Sequence, residues 1–287
     1  MLSTEHAITR CKRDMTLGAL LRTVLLATAL AAVLVGPFVG GAFDGSLLLV
    51  LVGIVWLVLS YRSVRGSRIA ADSPSLIAAG QFEAAERRIG EALHAFSLFR
   101  NVKLLSLHHL ALLRHAQQRW QETAMLCRAL LRQRLGGGAV GLGRSTQLIL
   151  TDSLLELDDL RGAHESLARL YEHRLSLAEA LKLLGVQLDY LSRIGAWDQM
   201  LYALPTRVQM CELMSATNAA QSQALLALAS RKANRAEWAD FLQQRAALLV
   251  DPQKLIERRP VLRELWQSHS LSPLRGEGGG EGASFDG

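Results

Sequence analysis

The phrase Gly80-Gln81-Phe82-Glu83-Ala84-Ala85, followed by Ile89, Ala92 and Leu93, decides the fold because it comes back. Gln118-Arg119-Trp120-Gln121-Glu122-Thr123 is followed by Cys127 and Leu130, and Asp158-Asp159-Leu160-Arg161-Gly162-Ala163 by Leu167 and Leu170. Gly195-Ala196-Trp197-Asp198-Gln199-Met200 leads to Leu204, and Asn234-Arg235-Ala236-Glu237-Trp238-Ala239 is a weaker fifth copy. The shared pattern is a turn, a large apolar residue, two polar residues and a small one, opening an amphipathic helix. Another amphipathic stretch precedes each turn, as in Leu104 to Ala116 and Leu181 to Arg193. From Pro74 onward Ala, Leu, Arg, Glu and Gln predominate with few β-branched runs, which favours helix. One helical hairpin cannot bury its apolar face alone, so three or more must stack.

These copies resemble the tetratricopeptide repeat, a helix-turn-helix unit whose turn reads Gly-x-aromatic-x-x-Ala. They recur about every 37 to 41 residues, against about 34 in that consensus, and cover roughly Ser73 to Val250. Only Gly80 and Gly195 supply the turn glycine, and the Trp and Tyr of the consensus first helix are mostly Leu here. The resemblance implies an all-α solenoid of antiparallel helix hairpins, with Trp120 and Trp197 packed between the helices of their pairs. Asp251-Pro252 reads as an N-cap with proline at the first helical position, opening a terminal helix towards Trp266 that Pro260 should break. The low-complexity segment 269–287 is expected to be disordered.

Working towards the N-terminus, Thr23 to Phe43 and Gly45 to Tyr61 contain no charged residue. A membrane span needs about 20 apolar residues, with a range of roughly 17 to 25. Turn residues at Gly36-Pro37 and Gly40-Gly41 leave a short connection, so the two spans are expected to run antiparallel as a transmembrane hairpin. Trp56 and Tyr61 are interfacial anchors. Arg10, Lys12, Arg13 and Arg22 precede the first span, Arg62, Arg65 and Arg68 follow the second, and the turn has neither Lys nor Arg. The positive-inside rule then puts both termini in the cytoplasm. A cleaved signal peptide and a pair of buried core helices are the competing readings. The expected organisation is 1–16 as an N-terminal cytoplasmic segment, 17–61 as the hairpin, 62–73 as a basic juxtamembrane linker, 74–268 as the repeat domain and 269–287 as the tail.

Of the 287 residues 50% are hydrophobic and 20% charged, with a formal net charge of +6, which excludes collagen-like and wholly disordered chains. Cys11, Cys127 and Cys211 are odd in number and far apart, which excludes a disulfide scaffold. Gly138-Ala139-Val140-Gly141-Leu142-Gly143-Arg144-Ser145 imitates a phosphate-binding loop. It carries Arg144 in place of lysine and follows helix instead of a strand, so it reads as a glycine-rich connector. No metal-ligand spacing and no nucleophile-base arrangement stands out, so neither a metal, a cofactor nor a catalytic residue is expected. Basic residues are not interleaved with aromatics, which argues against nucleic acid. Residues 81 to 135 carry nine basic and four acidic side chains, a balance suited to an anionic leaflet, whereas 144 to 200 carry six and nine.

Projecting the repeat onto the chain puts His108, His115, Asp152, Glu156, Lys182, Asp189, Arg193, Arg231 and Lys232 in the concave groove of such a solenoid. The resemblance therefore implies a membrane-anchored scaffold or adaptor, not an enzyme, that binds protein or peptide partners at a bacterial inner membrane. Two alternatives stand beside it. One is a structural subunit docking through the hairpin, and the other is an enzyme whose site is dispersed over several helices.

Overall fold

The computed structural model describes residues 3–35, 45–133 and 140–267, and every regular element among them is helical. The connection at 36–44 and the tail at 269–287, for which a turn and disorder were expected, lie outside the described residues. The chain divides into two compact units, Met1–Arg174 and Leu175–Gly287. The first holds α1 (Thr4–Val35), α2 (Gly45–Ala71), α3 (Ser73–Ala78), α4 (Phe82–His94), α5 (Arg100–Ala116), α6 (Trp120–Leu131), α7 (Val140–Glu156) and α8 (Leu160–Tyr171). The second holds α9 (Leu177–Arg193), α10 (Trp197–Met200), α11 (Leu204–Glu212), α12 (Ala216–Lys232), α13 (Ala236–Leu249), α14 (Pro252–Arg258) and α15 (Arg263–Gln267).

The repeated phrase is a repeated helix cap. Gly80, Gln118, Asp158, Gly195 and Asn234 all have positive φ, between 57° and 73°. At each, the residue's N–H donates to the carbonyl three positions back (Ile77, His115, Leu155, Ser192, Arg231). The next N–H donates five positions back (Leu76, Arg114, Leu154, Leu191, Ser230). This pair of bonds satisfies the last carbonyls of one helix and turns the chain into the next. The position five residues after the start of the phrase is fully buried in every copy, as Ala85, Thr123, Ala163 and Ala239 and, in the fourth copy, the larger Met200. Of the large apolar residues, Trp120 and Trp197 are half-buried, with Trp197 packed on the core of the second unit and Trp120 edge-on to His115 of the preceding helix.

Gln118 holds a left-handed backbone despite its Cβ, which costs a non-glycine residue about 1–2 kcal/mol. Gln118→Gly should therefore raise stability by about 1 kcal/mol, read from the denaturation midpoint. A lower midpoint would show that the extra freedom glycine gives the unfolded chain outweighs the backbone relief.

The fourth copy departs in its second helix. Pro205 cannot continue α10, because its ring would meet the carbonyl four residues back. The chain passes through Ala203 at φ 52° and restarts as α11. Arg207 Nη1 donates to the Met200 carbonyl at 2.8 Å. At the end of the chain Asp251 caps α14 by accepting from the Gln253 N–H at 2.9 Å. Pro260 interrupts the helix, leaving a 3-10 turn over Pro260–Leu262 before α15.

The two apolar segments are long helices packed against each other, each long and apolar enough to cross a membrane. Leu20, Leu26, Leu30 and Leu34 on α1 and Leu47, Val50, Ile54 and Leu57 on α2 are exposed. Both helices continue past their apolar parts into the repeat region, so residues 62–71 are the last turns of α2 instead of a separate linker. Residues 4–16, expected as a free cytoplasmic segment, are the first turns of α1. Thr4, Ala7, Cys11, Asp14 and Gly18 form a buried stripe at alternating three- and four-residue spacing, which brings α1 onto α5 and α6.

Candidate functional site

The expected groove residues fall in both units, and each group is described by itself. In the first unit α5 and α7 are neighbours, and their facing surfaces carry two polar pairs. The Thr146 hydroxyl gives its proton to the Leu142 carbonyl at 2.7 Å, so it accepts from Nδ1 of the buried His108 at 3.1 Å. That leaves His108 Nε2 to accept from the Ser145 hydroxyl, at a long 3.5 Å. Two turns further along, His115 Nε2 lies 2.7 Å from Asp152 Oδ2, and the Trp120 ring meets the imidazole edge-on at 5.2 Å. Asp152 and Glu156 are half-buried and one turn apart on α7. His115, Asp152 and Glu156 therefore reach one partly open face, whereas His108 belongs to the interior.

In the second unit the expected groove side chains hold down the chain's own C-terminal segment. Asp189 is 2% exposed and lies between Arg193 Nε at 3.3 Å and Arg259 Nε at 2.8 Å. Arg231 donates to the Leu265 carbonyl at 2.7 Å and to Gln243 Oε1 at 2.8 Å, and lies 3.2 Å from Asp240. Lys232 pairs with Glu264. Leu255, Leu262 and Leu265 enter the same core as Leu188 and Leu226, and α12 is buried without a break from Ser222 to Ser230. The expectation of an open groove over Asp189, Arg231 and Lys232 differs from this arrangement, because the segment after Asp251 covers the faces that α9 and α12 would present. Of this group Lys182 and Lys232 are exposed, the latter while paired with Glu264.

The most strongly built polar cluster is one the sequence reading did not single out. Lys103 on α5 is 1% exposed, and its ammonium makes a 2.8 Å pair with Asp14 on α1. It also donates to the Leu93 and Ala95 carbonyls at 2.7 and 2.6 Å, so its three donors meet three acceptors. About three turns further along α5, the fully buried Arg114 reaches Glu86 on α4 at 3.0 Å and Glu122 on α6 at 3.1 Å. The Thr4 hydroxyl at the start of α1 donates to the same Glu122 at 2.7 Å. Lys103, Leu107, Leu110 and Arg114 share one helical face, so charges at the two ends of an apolar stripe were the available signal.

His109, also buried on α5, has its pKa lowered by burial, with the Ala70 carbonyl of α2 opposing the shift. A histidine whose folded pKa lies below its unfolded value stabilises the fold while neutral. That contribution is lost as pH falls through the unfolded value of about 6.5 towards the lower folded one. Stability should therefore decline between pH 7 and 5, and His109→Gln should flatten that slope; an unchanged slope in the variant would assign it to other groups.

Burial holds the Cys127 thiol up at about 12 and Cys211 at about 11, so both remain protonated core residues and not nucleophiles. Among the described residues no group of three or more His, Cys, Asp or Glu is placed to hold a metal ion. Of the phosphate-loop imitation, Gly138 and Ala139 lie outside the described residues. Gly141 to Ser145 form the first turns of α7, so part of the expected connector is helix. No family model, curated protein or solved structure matches the chain.

Proposed function

We propose that the chain is a membrane-anchored, tetratricopeptide-like scaffold that binds protein or peptide partners on the cytoplasmic side of a bacterial inner membrane. In this reading α1 and α2 cross the bilayer as a hairpin with both termini cytoplasmic, and the helix pairs form a solenoid. The observation that carries it is the five-fold recurrence of one helix-turn-helix cap directly behind two apolar helices. Stacked pairs of this kind select extended partners by surface pattern. The partner face is that of α5 and α7, where Asp152 and Glu156 favour a basic segment. Reporters at the two ends of the full chain should both read cytoplasm, and a periplasmic signal from either would overturn the topology.

The binding test is capture from gently solubilised membranes by the chain and by Asp152→Lys with Glu156→Lys. A partner held by this face should be lost from the variant while helicity is kept. Wild-type capture should weaken as salt is raised, because the Debye length is already about 8 Å at physiological salt. Unchanged capture by the variant would move the contact to the exposed apolar surface of α1 and α2, as a subunit docking through its hairpin requires.

A further inference from the structure

The loop between α4 and α5, residues 95–99, sits between the two long helices at one height. A Cβ built on Gly18 of α1 would lie 3.1 Å from the Ser97 carbonyl oxygen, so the loop approaches α1 closely enough that any side chain there would crowd it. On the other side the Leu98 N–H donates to Ser63 Oγ of α2 at 2.7 Å, and Leu98 is buried. Those two contact points are also where the exposed apolar surface of the helices stops. It begins at Leu17 and Leu20 on α1 and ends at Tyr61 and Val64 on α2. Arg62 and Arg65 are exposed at the same height.

We propose that this loop is a third membrane-contacting element, seating Phe96 and Phe99 in the headgroup layer of an anionic leaflet. The inference rests on reading α1 and α2 as spans. Three features of the segment fit that occupant. Phe96 and Phe99 flank the wedged Leu98 and are half-buried, leaving ring surface at the level where the apolar band ends. The loop satisfies part of its own backbone, since the Phe99 N–H donates to Ser97 Oγ at 3.2 Å and that hydroxyl donates to the Phe99 carbonyl at 3.1 Å. A segment entering a low-dielectric layer needs such internal partners. From Ala92 to Gln121 there is no acidic residue, while Arg100 opens the next helix, so the neighbourhood suits phosphate headgroups. Gly18 and Ser63 hold the loop at this depth, which makes the unit's distance from the bilayer a property of the fold.

The test is nitroxide accessibility in the full chain, reconstituted in nanodiscs of phosphatidylcholine with and without phosphatidylglycerol. Labels go on Phe96→Cys, Phe99→Cys and, on the exposed first turn of α5, Asn101→Cys. Leu26→Cys and Leu248→Cys are the lipid and water references, both exposed. The oxygen-to-nickel-chelate collision ratio at residues 96 and 99 should be several-fold above that at 248 and below that at 26. It should rise at 96, 99 and 101 when the anionic lipid is present. Aqueous ratios at 96 and 99 with a lipid ratio at 26 would overturn the loop contact and leave the spans intact. Equal ratios in the two lipid mixtures would overturn the anionic preference. An aqueous ratio at 26 would overturn the span reading and this proposal with it.

Discussion

Lys103→Met should destabilise the chain by roughly 3–5 kcal/mol, the usual cost of breaking a buried ion pair by removing one partner. Three acceptors lose their donor at once: the Asp14 carboxylate and the Leu93 and Ala95 carbonyls. Most of the cost comes from Asp14, whose charge would remain at the α1–α5 seam without a cation. Combining Lys103→Met with Asp14→Leu should therefore recover much of the loss, since a matched apolar pair is often as stable as the ion pair it replaces. Denaturation of the full chain in detergent micelles, followed by far-ultraviolet circular dichroism, gives all three values. A double variant as unstable as the sum of the singles would show that the two side chains act independently.

Arg114→Met should cost a similar amount, about 3–5 kcal/mol, and should show where the first helix is fastened. The guanidinium lies between Glu86 and Glu122, and without it those carboxylates repel across α5. Glu122 also receives the Thr4 hydroxyl, so loosening it releases the start of α1. Amide hydrogen exchange over residues 4–16 should then accelerate more than exchange over α7 and α8. Arg114→Lys should not rescue the fold, because one ammonium cannot reach two carboxylates with the fork a guanidinium provides. Uniform acceleration through both helix pairs would mean that Arg114 supports the core in general and not the attachment of α1.

Much of the local architecture was legible in the residues. The turn phrase located all five junctions, including those where Gln118, Asp158 and Asn234 replace glycine, because the cap is made within six residues of chain. Asp251-Pro252 and Pro260 likewise marked the start and the break of the terminal segment. The candidate site was less legible. His115, Asp152 and Glu156 reach a common face of the first unit, but Asp189, Arg231 and Lys232 are engaged by residues that follow Asp251. Periodicity reports which side of a helix is apolar and carries no record of which distant segment will cover the other side.

By itself the sequence determined the helical class, the phase of the repeat and the two long apolar segments. Each of these depends on composition, on spacing along one helix or on hydrogen bonds between near neighbours. Only the tertiary structure decided that α1 and α2 run on into the repeat region, that Lys103 and Arg114 are buried, and that the C-terminal segment closes the second unit. Those outcomes join Asp14 to Lys103, Thr4 to Glu122 and Asp189 to Arg259 across long stretches of chain. Such pairings are stable only where burial of the surrounding apolar surface offsets the desolvation of the polar and charged groups they join, a condition of the packed interior and not of either segment alone.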